Sequence, residues 1–426
     1  MDTIFSLSTA YGKAGISVIR VSGKAAADSC KKIAGFKPCI GQPALRRLKD
    51  QNGELIDRAL ILFFEAGASF TGETVVEYHL HGSIAVISKL LGELNLQTNH
   101  REAMPGEFTR RALENNRLDI TQIEGLADLI NSETEAQRKQ AVRVFDGSIG
   151  RKVKEWRASL IEAGSLIEVT IDFSEEDIPL GLLGRVSELV TKIIMELEKE
   201  IESTKLSERV RSGFEVAIIG APNVGKSTLI NALAGREAAI TSKIAGTTRD
   251  VIEVRMDLNG LPVTFLDTAG LRETKNEVEI LGIKRARDRA ETADLRIFLT
   301  EEKPLKELIV KQELDIEIAS KGDLSGVGVS GLTGYGIPEL IDLVSEKLTK
   351  MALGAGIATN ERHRRAMIIS VGTLKNCKKE LQRDVVRSEI AAEELRSSVM
   401  ALESMVGSVG VEDLLDEIFS NFCLGK

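Results

Sequence analysis

The sequence predicts a multidomain chain of mixed α/β and α class, with an N-terminal α+β domain, a helical domain, and a P-loop α/β domain inserted into it. Three observations predict this. Short β-type runs with Gly and Pro punctuation fill residues 1–117. Apolar residues recur at spacings of three and four on both sides of a central stretch. The central stretch itself alternates strand-like and helix-like segments around a glycine-rich loop.

The elements follow in order. Residues 16–21, 59–64 and 75–80 read as strands of the first domain. From 118 to 212 the pattern is helical: Ile123, Leu126, Leu129 and Ile130 recur, as do Leu160, Ile161, Gly164 and Ile167. Residues 173–179 break that run, and a second helix is expected over 186–210. Residues 213–350 offer strands at 216–219, 263–266, 295–299, 316–319 and 327–330, which predicts βαβ units and a mostly parallel sheet. Helix returns over 351–426, where Val386, Ile390, Leu395, Val399, Leu402 and Val406 share a face, continued by Leu414, Ile418 and Phe422. Neither helical piece buries a large apolar face alone, so the two are expected to pack together.

Bulk properties bound the function. With 426 residues, 43% apolar and 28% charged, the chain reads as a soluble globular protein of two or three domains. It has no run of about 18 apolar residues to span a membrane, and no basic segment followed by an apolar one to act as a secretory signal. The net charge of −8 argues against bulk coating of nucleic acid. An RNA partner has to meet a local basic patch, and the candidates are residues 101–117 and the run Arg362-His363-Arg364-Arg365. Cys30, Cys39, Cys377 and Cys423 form no C-x-x-C pair, and the first three read as free thiols. His100 and His363 read as surface residues, and Trp156 as packing.

The central stretch carries the chemistry. Gly220-Ala221-Pro222-Asn223-Val224-Gly225-Lys226-Ser227 lies between a strand and a helical run that opens at Thr228, the context a phosphate loop needs. Its backbone N–H groups would wrap the β-phosphate, Lys226 would supply charge to the β/γ oxygens, and Ser227 would ligate Mg²⁺. Gly246-Thr247-Thr248-Arg249-Asp250 follows at the distance where Thr248 would complete the Mg²⁺ shell. Asp267-Thr268-Ala269-Gly270 closes a strand, so Asp267 would hold Mg²⁺ through water and the Gly270 N–H would meet the γ-phosphate. Ser320-Lys321-Gly322-Asp323 stands where a guanine-specific site has N-K-x-D; Asp323 would accept from guanine N1–H and N2–H₂, and Lys321 would lie over the base. Serine there removes one support of the pocket. Ser330-Gly331 fits the last base-contacting loop. Leu271 stands where a water-positioning Gln is familiar, so Asn223 is a candidate ligand for a monovalent cation acting as an arginine finger, and Glu273, Glu277 or Glu279 a candidate water-positioning carboxylate. Glu77, His79 and His81 alternate on one strand face, a spacing open to metal binding or to plain packing.

Several motifs together resemble one family. The Asn223 loop with residues 246–250 and 267–272 is similar to the potassium-activated GTPases. Phe70-Thr71-Gly72-Glu73, Glu77-Tyr78-His79-Leu80-His81-Gly82, Pro105-Gly106-Glu107-Phe108-Thr109-Arg110-Arg111-Ala112 and the terminal Phe422-Cys423-Leu424-Gly425-Lys426 resemble the MnmE/TrmE family across the whole chain. The resemblance implies a cytoplasmic tRNA-modifying GTPase, a homodimer that forms a heterotetramer with MnmG, an FAD protein. The pair installs an aminomethyl-type group on C5 of the wobble uridine. It implies a folate-binding N-terminal domain that takes 5,10-methylene- or 5-formyl-tetrahydrofolate, with contacts from Arg20, Glu77, Arg117 (often Lys in the family) and Lys426. It implies potassium contacts at Asn223, Ser242 (usually Thr), Ile244 and Thr247, within a nucleotide-enclosing loop that also includes Lys243, Ala245 and Gly246. Glu279 takes the water-positioning role, and Cys423 is assigned to the tRNA chemistry. The chain is short for the family, and the missing residues are expected within 300–312. A ribosome-assembly checkpoint GTPase shares the G-domain motifs and is the alternative reading.

Overall fold

The computed structural model describes residues 2–172, 181–236, 253–267, 288–301, 312–383, 386–407 and 425. The chain divides into two compact units, 1–127 with 406–426, and 128–405.

The first unit is built on β1 (Thr3–Leu7), β2 (Ala14–Ser22), α1 (Ala26–Ala34), β3 (Ala44–Lys49), β4 (Leu55–Phe64), β5 (Val75–Gly82), α2 (Ile84–Asn95), β6 (His100–Glu102) and α3 (Glu107–Glu114), and α4 (Ile120–Ile130) carries the chain onward. The strands form one sheet in the order β3-β4-β5-β2-β1-β6. All pairings are antiparallel except β1 with β6. Strand alternation sorts the residues. Ile19, Val21, Ala59, Ile61, Tyr78 and Leu80 turn inward to form a core with Ile87, Leu90 and Leu94 of α2. Arg20, Glu77 and His79 therefore share the opposite face.

A charge cluster closes one end of this unit. The Arg111 side chain, 6% exposed, donates to the carboxylates of Asp2, Glu73 and Glu107. Arg101 pairs with Asp2 and Glu107, and Ser22 Oγ donates to Glu73 Oε2 at 2.7 Å. Two of the arginines expected to meet RNA or folate are thus spent inside the fold.

In the second unit, α5 (Glu135–Phe145), α6 (Ser148–Asp172) and α7 (Leu182–Ser212) lead into β7 (Phe214–Gly220), α8 (Lys226–Ala234), β8 (Glu253–Leu258), β9 (Leu261–Asp267), β10 (Leu295–Thr300), β11 (Ile316–Ala319), the short α9 (Gly322–Ser325) and α10 (Ile337–Ala352). Two helices follow, α11 (Glu361–Leu381) and α12 (Ser388–Val406). The five-stranded sheet runs β11-β10-β7-β9-β8. It is parallel apart from the antiparallel β8–β9 hairpin. Its core joins Phe214, Val216, Ile218 and Phe265 to Leu229, Leu233, Leu340 and Val344 of the flanking helices. Helices α6 and α11 pack along α7, so helical segments before and after the sheet meet. No helix among the described residues is long and apolar enough to cross a membrane.

Several expectations change. Residues 327–330 do not form a strand; Val329 makes a single bridge to Ser320. Ile390 and Ile161 are 42% and 44% exposed. The buried seam of α12 keeps Leu395 and Leu402 of the expected face and is completed by Ala391, Ala392 and Ser398, with Ser398 Oγ hydrogen-bonded to Ser370 Oγ at 2.7 Å. Small residues fill a close helix contact, and a count of large apolar side chains passes over them. His363 is fully buried rather than at the surface. Arg362 donates to the carbonyls of Ser404 and Met405 at 3.1 and 3.0 Å, and Arg364 and Arg365 pair with Glu361, so the run 362–365 is no open basic patch. Trp156 is 2% exposed and donates to Glu196 at 2.9 Å.

Removing Arg111 strands carboxylates at a buried site. Arg111→Ala is expected to lower local stability of the first unit by about 3 kcal/mol, read by hydrogen exchange of the β1 and β2 amides. The same cluster sets an acid limit. Burial pushes the Glu107 carboxyl up, but Arg101, the Met104 N–H and Arg111 outweigh this and hold it below 4.5. Its folded pKa is depressed, so its stabilising contribution is present above pH 4.5 and is lost as pH falls below that value. Exchange protection of β1 should drop over that range in the parent protein and much less in Glu107→Gln.

Candidate nucleotide site

The site is built where β7 ends. Gly220 packs so closely on β10 that a Cβ there would lie 2.9 Å from the Leu299 carbonyl oxygen. The chain then turns through Asn223 at φ 63° and Gly225 at φ 105°, both left-handed, and enters α8 at Lys226. Val224, 2% exposed, anchors the loop in the core. The first-turn N–H groups of α8 thereby face the loop, a ready anion cradle. Lys226 Nζ donates to the carbonyls of Gly220 and Ala221 at 2.8 and 2.9 Å, which holds its ammonium over the loop. Ser227 Oγ donates to Asp267 Oδ2 at 2.9 Å. The predicted Mg²⁺ ligand Ser227 and Asp267, expected to hold the ion through water, are therefore brought together at the ends of adjacent parallel strands. Thr228 is exposed one residue further on.

The base loop lies beyond β11. Lys321 adopts φ 55° and pairs with Glu301 at 2.7 Å, and Asp323 is exposed. Ser320 Oγ is buried without a hydrogen-bond partner in the described structure. Ser330, 5% exposed, accepts from the Thr333 N–H through its hydroxyl at 3.4 Å. Gly331 lies against α8, where a Cβ would sit 2.5 Å from Thr228 C and Leu229 N. Glycine therefore suits this position, because a side chain there would meet the backbone of α8. Glu301 as the partner of Lys321 was missed, because nothing in the spacing marks it. Ser242, Lys243, Ile244, Ala245, Gly246, Thr247, Thr248, Thr268, Ala269, Gly270 and Glu279 lie outside the described residues.

A second cluster occupies the open face of the first unit. Arg20 and Glu77 are cross-strand partners, and Arg20 Nε donates to Glu77 Oε1 at 2.9 Å. The Arg20 guanidinium lies 5.4 and 5.7 Å from the ring centres of Phe70 and Phe108. Both aromatics sit in motifs recognised in the sequence, yet neither was singled out. Arg117 is exposed, with its Cγ close beside Gly72 in the same loop as Phe70. Gly425 is held to β1 by Ser8 Oγ, which donates to its carbonyl at 3.0 Å, and Ser6 of that strand is the cross-strand partner of Arg20. Cys423 and Lys426 lie outside the described residues. His81 is engaged by Asp57, at 2.9 Å from Nδ1. Among the described residues no group of three His, Cys, Asp or Glu is placed to hold a metal ion. Burial pushes the Cys30 thiol up to about 11 and the Cys377 thiol up to about 12, so both are inert at neutral pH.

A phosphate loop on the central strand, a Ser–Asp pair at its mouth and a base loop beyond β11 define a P-loop nucleotide-binding protein, here joined to helices and to an α+β unit. The family model "MnmE helical domain" matches residues 120–423, and "GTP-binding protein TrmE N-terminus" matches 3–117. Proteins described as tRNA modification GTPase MnmE from Roseobacter denitrificans, Cereibacter sphaeroides and Dinoroseobacter shibae are 54%, 53% and 52% identical, each over 100% of both chains. The chain belongs to the MnmE family of tRNA modification GTPases.

Gly331→Ala should weaken nucleotide binding about tenfold, since overpacking of 1–3 kcal/mol has to move either the base loop or the first turn of α8. Titration with a fluorescent GDP analogue checks this. Unchanged affinity would show that the close approach is dispensable.

Proposed function

We propose that this chain is a GTP hydrolase that works with an FAD-containing partner, MnmG, to install an aminomethyl or carboxymethylaminomethyl group at C5 of the tRNA wobble uridine. The observation that carries the reading is the Ser227–Asp267 bond beneath a lysine-capped phosphate loop, set in a chain that matches the family along its whole length. The domain limits proposed are 1–117, 118–212, 213–350 and 351–426. The alternative, a ribosome-assembly GTPase, shares the phosphate-loop motifs only, whereas the TrmE N-terminus match at 3–117 lies outside them.

The residues divide the work. The α8 N-terminus and Lys226 bind the β- and γ-phosphates and offset their charge. Ser227 and Thr248 are the proposed Mg²⁺ ligands, and Asp267, 2.9 Å from the Ser227 hydroxyl, would hold the ion through water. Bound Mg²⁺ supplies charge neutralisation of the β/γ oxygens. Asp323 and Lys321 select guanine. Asn223 lies in a left-handed turn of the phosphate loop and is exposed, which supports its proposed role as a potassium ligand together with Ser242, Ile244 and Thr247. An ion held there would offset charge on the transferred phosphoryl group, and Glu279 is proposed to orient the water.

On the other unit, Arg20 lies against the half-buried Phe70 and the fully buried Phe108, which hold its guanidinium in place on the open face of the sheet. A positioned cation of this kind suits a ligand that carries carboxylates. Arg20, Glu77, Arg117 and Lys426 are proposed to hold the tetrahydrofolate, 5,10-methylene or 5-formyl, which supplies the one-carbon unit. Cys423 acts in the uridine chemistry. The working assembly is a homodimer joined to two MnmG chains, and hydrolysis drives a conformational cycle of the helices rather than the uridine chemistry itself.

GTP turnover in KCl against NaCl at matched ionic strength tests the cation role. Turnover is expected to be faster in KCl by about tenfold or more, with the difference lost in Asn223→Ala. Equal rates in the two salts would remove potassium from the mechanism.

A further inference from the structure

The first unit carries a basic surface that neither the nucleotide site nor the Arg20 cluster uses. Residues 31–58 contain seven Lys or Arg against three Asp or Glu, in a chain whose net charge is −8. Lys31, Lys32, Lys37, Arg46, Arg47, Lys49 and Arg58 are all exposed, and the structure gives none of them an ion pair among the described residues. Of the three carboxylates in this stretch, Asp50 pairs with Lys89 at 2.8 Å and Asp57 holds His81, while Glu54 is exposed and makes no ion pair with these cations.

Ordinary structural roles explain part of this. Lys31 and Lys32 sit in the last turn of α1, where cations suit the helix dipole. β3 is an edge strand, and charge on an edge resists strand-to-strand aggregation. Neither accounts for Arg58, which lies on the interior strand β4 directly opposite Arg47. Like charges at opposed positions of a sheet are destabilising, and no carboxylate relieves this pair. Ala59 and Ile61 turn into the core, so Arg58 and Leu60 face outward, on the face that holds Glu77 and His79. Arg46 is held ready by the Phe36 ring, 4.4 Å from its guanidinium.

We infer that the β3–β4 hairpin with the end of α1 is the surface on which this chain meets the phosphate backbone of its tRNA. Solvated cations with no ion-pair partner among the described residues flank the β3 edge on both faces of the sheet, Arg47 and Arg58 kept opposed at some expense in sheet stability, and such an edge complements a polyanion. The inference rests on the tRNA reading above. It goes further by assigning the docking to these residues rather than to 101–117 or 362–365, where Arg101, Arg111, Arg362, Arg364 and Arg365 have partners within the fold.

The test is binding of the full chain to a tRNA with an unmodified wobble uridine over a KCl series. Arg47→Gln with Arg58→Gln should weaken binding at low salt and reduce the slope of log affinity against log salt by roughly 0.7–0.9 for each phosphate no longer neutralised. Arg47→Lys with Arg58→Lys should restore the slope, because pairing with a phosphate needs only the charge. GTP turnover without tRNA should be unchanged in both, which controls for folding. Parent binding with an unchanged slope in the Gln variant overturns this inference alone. No tRNA binding by the parent overturns the tRNA reading with it. Loss of binding to phosphatidylserine vesicles with tRNA binding intact would assign the patch to a membrane surface and overturn the inference.

Discussion

Strand β9 is pinned at both ends, and the second unit depends on that constraint. At its C-terminal end Asp267 accepts from Ser227. At the other end the Gly260 carbonyl accepts from the Ala136 N–H at 2.9 Å, in the first turn of α5, and Asn259 Nδ2 donates to Ser345 of α10 at 2.8 Å. All seven residues of the strand are buried. The other strand that reaches the phosphate loop, β7, starts from the same place. Gln137 of α5 closes a capping box with Thr134 and donates through Nε2 to the Arg211 carbonyl at 2.9 Å, at the end of α7. Gln140 does the same to Ser207 one turn earlier. The phosphate loop and the Ser–Asp pair thus hang from two strands whose far ends are fixed to one helix N-terminus. Each hydrogen bond contributes only about 1 kcal/mol net, but together they leave the nucleotide end of the sheet little freedom that the helices do not share.

In the first unit one periodicity does two jobs. The alternation that buries Ile19 and Tyr78 places Arg20 and Glu77 side by side on the other face. The Arg111 cluster then fixes the loop that brings Phe70 to that face, since Glu73 and Ser22 belong to the same network. A buried guanidinium with carboxylate partners is weak evidence for net stability, because desolvation offsets much of the attraction. What it supplies is geometry: the loop and the N-terminus of β1 cannot shift without stranding a charge.

Legibility in the sequence followed how local each signal is. The phosphate loop, the strands at 216–219 and 263–266 and the helix over 186–210 were readable because spacing and flanking residues suffice. The hairpin strand β8 was not read, because Glu253-Val254-Arg255-Met256-Asp257-Leu258 carries charges on its open face and forms only by pairing with β9. The α12 seam was read only in part because Ala391, Ala392 and Ser398 matter through close approach, not through apolar size. Arg101, Arg111 and Arg362 looked like a basic surface because, beyond the nearby Glu107, their partners are distant in sequence: Asp2, Glu73 and the end of α12. Position along the chain carries no mark of such pairing.

The altered base loop shows the same limit from the other side. Ser320 in place of Asn reads as a lost support. The structure supplies support from the backbone. Val329 N–H donates to Ala319 at 2.8 Å, Gly322 N–H to Val329 at 3.0 Å and Ser330 N–H to Tyr335 at 2.9 Å, while the Tyr335 hydroxyl ties down Gly326 at 2.7 Å. Gly331 lets this braced loop lie directly on α8, and Lys321 is steadied by Glu301. The side chain that changed is therefore one brace among several. A motif read one residue at a time overstates the weight of that residue, because the conformation it serves is fixed by backbone bonds that any sequence with these glycines and turns can make.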